Sequence, residues 1–179
     1  MALTDEDLHR IPLFASLQND DLGRLQSIAR FASFQRGETI FQEGDHADGM
    51  YVLAEGKVEV RKQAKGTENH EVLATLEPFA MFGEMTLVHE NGMQRSATVH
   101  AIEPGSMIKI DKDQFRKLVQ DNDPIAMAIL TGIVQVLSER LTKIDQELLQ
   151  FIKVAEPEAG TKLADLTRFR DKVLSEWTF

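Results

Sequence analysis

The sequence predicts a mainly β fold, an antiparallel sandwich or barrel of short strands with helices on either side of it. Three observations point there. Eight of the eleven glycines fall between residues 36 and 110, at Gly37, Gly44, Gly49, Gly56, Gly66, Gly83, Gly92 and Gly105. Between them run short β-prone pieces, ETIF, MYVLA, KVEVRK, EVLATL, SATVHAI and SMIKI. Outside that zone the apolar residues recur at helical spacing instead. Glycine supplies the positive φ that tight turns demand, and short strands so spaced suit an antiparallel sandwich or barrel.

Residues 1–35 read as short helices. In TDEDLHRI, Thr4 is the expected N-cap, and the acids after it suit the positive end of a helix dipole. DDLGRLQSIARF then repeats Leu22, Leu25, Ile28 and Phe31 at helical spacing. Residues 36–110 are the expected barrel, in which MYVLAEGKVEV reads as a hairpin with Glu55-Gly56 at its turn.

Residues 111–153 read as helical again. DKDQFRKLVQDN predicts a short helix, and Pro124 suits the first turn of the next. That helix carries Leu130, Val134, Leu137, Leu141, Ile144, Leu148 and Phe151 in alternating steps of four and three, a heptad seam. A homodimer through Leu130–Phe151 is the expectation, and packing on the chain's own barrel is the alternative, although that normally shows a wider, less regular stripe. VAEPEAGT, residues 154–161, reads as a linker, and a short amphipathic helix with Leu163, Leu166, Phe169, Val173 and Trp177 on one side follows it. The expected organisation is one domain over 1–153, then linker and helix over 154–179.

Composition narrows the function. With 179 residues, 42% hydrophobic and 27% charged, the chain has room for one domain plus an appendage. There are no cysteines, which excludes disulfides, thiolate zinc sites and cysteine-ligated iron–sulfur clusters. A formal charge of −9 disfavours a nucleic-acid surface. No apolar run is expected to span a bilayer, which takes about 20 residues. The acidic start MALTDEDLHRIP lacks the apolar core of a signal peptide, so a cytoplasmic location and no membrane partner are expected. His9, His46, His70, His89 and His100 are scattered without metal-ligand spacing, and no serine or threonine has an evident histidine base. Neither a metal nor catalysis is expected.

The chemistry concentrates in FGEMTLVHENGMQRSATV, residues 82–99. Arginine's planar fork matches a phosphate bidentately. An ionised Glu84 only accepts hydrogen bonds and so suits a sugar hydroxyl. Gly83 lets backbone approach a ligand, and a helical turn at EMTLV offers free N–H groups beside Arg95.

This stretch resembles the phosphate-binding cassette of the cyclic-nucleotide-binding domain family, and the resemblance extends over about residues 9–145. It begins at IPLFASL and continues through FQRGETIFQEGDHADGMYVLAEGKVEV, with Gly37, Gly44-Asp45, Tyr51 and Gly56 in the family's order. The resemblance implies a double-stranded β-helix, or jelly-roll barrel, with a long C-terminal dimerisation helix. It also implies that Glu84 binds the ribose 2′-hydroxyl, that Arg95 binds the cyclic phosphate, and that Ser96 adds a hydroxyl. Backbone near Gly83, Met85, Thr86 and Ala97 completes the implied cradle. Arg140, Thr142, Ile144 and Asp145 are the implied contacts to the base from the long helix, with a solvent-facing ion pair to Glu139 or Asp145 as the alternative for Arg140. The implied ligand is cyclic AMP first and cyclic GMP second, with no cofactor.

This chain departs from the family pattern in several places. The segment from Glu84 to Arg95 is one or two residues longer. LEPFAMFGE stands where a pattern like LGPGDFFGE is common, which puts Phe79 and Ala80 in place of glycine and a polar residue. Phe79 either narrows the pocket or packs beneath it. Thr86 replaces a smaller residue, and the long helix is about a turn longer. Catabolite-activator relatives continue into a winged helix-turn-helix of about 60 residues, whereas 26 residues follow Lys153 here. The expectation is a non-enzymatic sensor that does not bind DNA alone and acts through an unknown protein partner. The alternative is a degenerate fold that binds no nucleotide and serves as a dimeric scaffold.

Overall fold

The computed structural model describes residues 5–15, 17–25, 28–63, 70–89 and 94–155. Helix α1 (Asp5–His9) leads into a 3₁₀ turn, Pro12–Phe14, and then α2 (Asn19–Leu25). Six strands follow: β1 (Ala29–Phe34), β2 (Thr39–Phe41), β3 (Gly49–Gln63), β4 (His70–Leu76), β5 (Met81–Phe82) and β6 (Thr98–Asp111). The one-turn helix α3 (Met85–Val88) stands between β5 and β6, and α4 (Lys112–Gln120) and α5 (Pro124–Ala155) close the order. The fold is the expected antiparallel jelly-roll type with flanking helices. The expected N-cap Thr4, the linker beyond residue 155 and the last helix lie outside the described residues.

The two long strands carry the architecture. All pairings are antiparallel, in the order β1-β6-β3-β4, with β2 on β6 and β5 on β3. Each long strand serves two neighbours along one edge: β6 takes β2 near its start and β1 further on, and β3 takes β5 and then β4.

The expected hairpin at Glu55-Gly56 is corrected: β3 runs straight through it as one strand of 15 residues. Gly56 has φ +85°, and a Cβ there would meet the Pro104 carbonyl oxygen at 2.5 Å and Gly105 Cα at 2.8 Å. The register against β6 shifts between Leu53 and Val58. The glycine therefore makes a bulge that bends the strand rather than a turn that ends it.

The helical reading of residues 1–35 is corrected at its end. Phe31 sits on β1, which pairs with β6 from Ala29↔Ile110 to Phe34↔Gly105. Six paired residues outweigh the weak local helix preference of ARFASF. The Leu22 side chain lies outside the described residues.

Alternation along the strands feeds two cores. Phe34, Tyr51, Leu53, Val58, Phe82, Val99, Ala101 and Met107 cluster together. Met50, Val52, Ile108 and Ile110, on the opposite faces of β3 and β6, are also fully buried, as are Ile11, Phe14, Phe115 and Ile129 from the helices. Two carboxylates set the helix starts. Asp111 accepts from the Asp113 and Gln114 amides at 3.0 and 3.1 Å, capping α4. Asp123 accepts from the Ile125 amide at 3.1 Å ahead of α5 and pairs with Arg24 of α2.

Helix α5 runs through both compact units of the chain, residues 1–134 and 135–179. Within the first, Ile125, Ala126, Ile129 and Ile133 are buried, and Gly132 lies against Leu13, whose carbonyl oxygen is 2.8 Å from where a Cβ would be. The seam residues lie on another face: Val134 is 62% and Ile144 59% exposed. The Leu148 and Phe151 side chains lie outside the described residues. Two apolar faces on one helix explain a further correction. Pro124–Gln146 is long and apolar enough, at a mean hydropathy of 1.4, to cross a membrane by length and composition. About a quarter of that stretch, 28%, is buried, including the first of these faces.

Candidate functional site

Two of the expected cassette residues, Gly83 and Thr86, lie against Arg95 at the junction of β3, β5 and α3. Gly83 follows β5 at φ +72°, a left-handed conformation that favours glycine. A Cβ there would lie 2.7 Å from Arg95 Nη1, so the arginine fills the space that a side chain would take. Glu84 opens α3 and is itself buried, at 9% exposure. Thr86 is buried, and its hydroxyl accepts from Arg95 Nη1 at 3.2 Å. Ala97 is buried, whereas Met85 and Ser96 are exposed.

Arg95 is the centre of this arrangement. Its side chain is 3% exposed. Nη1 also donates to the Gly49 carbonyl at 2.8 Å, and Nη2 donates to Asp48 Oδ1 at 3.0 Å. The guanidinium lies 4.2 Å from the Phe41 ring centroid and 5.4 Å from that of Tyr51. Tyr51 and Phe82 stack beneath at 5.2 Å. Nε is buried and makes no hydrogen bond within the described structure. A buried N–H donor without a partner costs about 1–3 kcal/mol, so an acceptor arriving there would be favoured.

A second cation stands beside the first. Lys109 Nζ is bonded to the other Asp48 oxygen, Oδ2, and lies 5.8 Å from the Tyr51 centroid. Asp48 thus bridges two cations. Burial pushes the Asp48 carboxyl up, but the hydrogen bond and charge of Lys109, with the charge of Arg95 behind them, outweigh it and hold the group below the ordinary 3.8. Burial also pushes the Tyr51 phenol up, with Asp48 adding to the rise against the opposing pull of Lys109 and Arg95.

Two further features of the cassette are local. The helical turn at EMTLV is present, and within it the Thr86 and Leu87 amides bond to the carbonyls of Gly83 and Glu84 at 3.2 and 3.0 Å. Phe79 takes φ +74°, the conformation that suits the glycine common at that position, and its ring lies 5.2 Å beneath the Arg10 guanidinium. Of the longer loop, residues 90–93 lie outside the described residues.

Arg140, Thr142, Ile144 and Asp145 are on α5 in the second compact unit. There the Thr142 hydroxyl donates to the Ser138 carbonyl at 2.9 Å, and the Ile144 side chain is exposed. No group of three metal-binding side chains occurs among the described residues. Asp48, Gly49 and Lys109 were not read from the sequence. Their only signal there is the run DGMY ahead of a strand and a lysine at a β-position that faces inward.

Arg95 is thus held between a glycine-led turn and the rings of Phe41 and Tyr51. The profile of the cyclic nucleotide-binding domain matches residues 31–122, more than half of the chain, and the chain belongs to that family. A CRP-like cAMP-activated global transcriptional regulator of Mycobacterium tuberculosis is 30% identical over 149 residues, 83% of this chain and 63% of the relative. The chain therefore spans less than two thirds of the length of that curated relative. The N-terminal domain of a transcriptional regulator from Streptomyces coelicolor A3(2) superposes with a TM-score of 0.63 at 27% identity, covering 76% of this chain and 95% of that one. A cyclic nucleotide-binding domain from Methylobacillus flagellatus KT superposes at 0.69 with 24% identity, covering 81% and 80%, and shares the fold.

Proposed function

We propose that this chain is a non-enzymatic sensor of a cyclic nucleotide, cyclic AMP before cyclic GMP. Arg95 receives the cyclic phosphate, Glu84 the ribose 2′-hydroxyl, and Ser96 adds a hydroxyl. Gly83, Met85, Thr86 and Ala97 shape the cradle around them. One observation carries the reading: a buried guanidinium held in place by the Gly49 carbonyl and the Thr86 hydroxyl, with Nε still unpartnered. The resemblance to cAMP-activated regulators supports the choice of nucleotide.

In this reading the output is α5. Its exposed Val134, Leu137 and Ile144 suit a homodimer seam over Leu130–Phe151. Arg140, Thr142, Ile144 and Asp145 supply contacts to the base, and ligand binding shifts an equilibrium of the helix that a protein partner reads. Thermal unfolding with either nucleotide tests this directly, since a ligand at 100 times its Kd adds about 2.7 kcal/mol of stability. Arg95→Ala should weaken binding at least tenfold, a loss of about 1.4 kcal/mol. Equal affinity of variant and parent by calorimetry removes the proposal.

A second reading has an observation of its own. Asp48 already bonds Arg95 Nη2, as a ligand oxygen would. If neither nucleotide shifts the melting curve, the fold is a dimeric scaffold closed by its own carboxylate.

A further inference from the structure

Asp48 and the ligand proposed above would contend for the same guanidinium. A carboxylate that fully neutralised Arg95 would leave little attraction for a phosphate. The arrangement avoids this, because Asp48 divides its oxygens, Oδ1 to Arg95 Nη2 and Oδ2 to Lys109 Nζ. Two cations share one anion, so the trio keeps a net positive charge.

The geometry points to Lys109 as the positioning residue that lets Asp48 yield Arg95 to an anion. This inference rests on the anion-binding reading of Arg95 given above. Lys109 is anchored by register, since it pairs with Tyr51 of β3, and its Nζ lies over that ring. Asp48 is the more exposed member, with a side chain 51% exposed, whereas that of Arg95 is almost wholly covered. Arg95 keeps its place when Asp48 leaves, because Nη1 is held by two neutral acceptors, the Gly49 carbonyl and the Thr86 hydroxyl. An arriving anion then takes Nη2 together with the buried, unpartnered Nε. Asp48 stays on Lys109 and is never left as an unpaired carboxylate. Without Lys109, the exchange would strand that charge beside the incoming one, and like charges at such a distance repel.

The test is a double-mutant cycle on the full chain, with calorimetry against cyclic AMP, cyclic GMP and, separately, inorganic phosphate. Working in about 0.5 M salt suppresses attraction between Lys109 and the ligand through solvent. Lys109→Met should weaken binding by about fivefold, a coupling of about 1 kcal/mol between groups in contact. Lys109→Arg should restore it. In an Asp48→Asn background the same lysine change should have less than about a twofold effect, because no carboxylate remains to be held.

A lysine effect of equal size in both backgrounds would mean that Lys109 touches the ligand itself, and the inference would be wrong. No effect in the parent overturns it too. If the parent binds phosphate but neither nucleotide, the nucleotide reading fails, and the phosphate cycle decides the role of Lys109. If it binds none of the three, both readings fall together.

Discussion

Gly83→Ala tests whether the cassette turn is built around Arg95. The substitution adds a Cβ at φ +72°, at a point 2.7 Å from Arg95 Nη1 and 3.6 Å from the Gly49 carbonyl oxygen. The left-handed conformation alone costs a residue with a Cβ about 1–2 kcal/mol. The new methyl must also push Nη1 away, loosening its bonds to the Gly49 carbonyl and the Thr86 hydroxyl. Hydrogen bonds to a charged group contribute about 1.5–3 kcal/mol each, and losing one of them brings the expected destabilisation to about 3–4 kcal/mol.

Gly37→Ala is the control, because Gly37 has φ +88° and no atom within 4 Å of a Cβ, so only the conformational cost applies. Urea unfolding followed by circular dichroism reads both variants. The glycine at 83 should cost more than that at 37 by about 1.5 kcal/mol or more, and nucleotide affinity should fall only for Gly83→Ala. Equal losses in the two variants would refute the contact between Gly83 and Arg95, and with it the cradle.

Three further outcomes are expected. Gly132→Ala drives a Cβ to within 2.8 Å of the Leu13 carbonyl oxygen; overpacking of about 1–3 kcal/mol should exceed the gain in helix propensity, giving a lower Tm. Placing glutamate at both Val134 and Ile144, which are exposed on α5, should shift sedimentation from dimer to monomer with little change in Tm. Asp48 is held below its ordinary pKa of 3.8 in the folded state, so its contribution is present above that value and is lost as pH falls through the folded pKa. The stability gap between the parent and Asp48→Asn should therefore narrow as pH falls below about 4 in urea titrations; a constant gap would contradict the pairing.

The sequence made the ends of the site legible and hid its middle. Gly83, Glu84, Thr86 and Arg95 lie within 13 residues of one another, and the structure brings Gly83 and Thr86 onto Arg95. Asp48 and Lys109 come from 47 residues before and 14 after the arginine, and only the pairing of β3 with β6 sets them there. Gly56 was misread for a related reason. An acid and a glycine after an apolar run fit a turn as well as a bulge, and the choice rests with Pro104 and Gly105 across the sheet. Phe31 fell on a helical period by accident of spacing, while the partner strand that claims it is more than 70 residues away. The apolar period of α5 was legible because a regular helix preserves its period whether or not anything covers it.

The bend at Gly56, packed against Pro104 and Gly105 of β6, has a mechanical consequence. Because β3 and β6 pair with each other and between them carry all four remaining strands, none of those can peel away without straining the same central pair. Pulling on the chain should therefore give one rupture event rather than two. A bulky side chain at Gly56 would press on Pro104 and Gly105 and so be felt in both long strands at once.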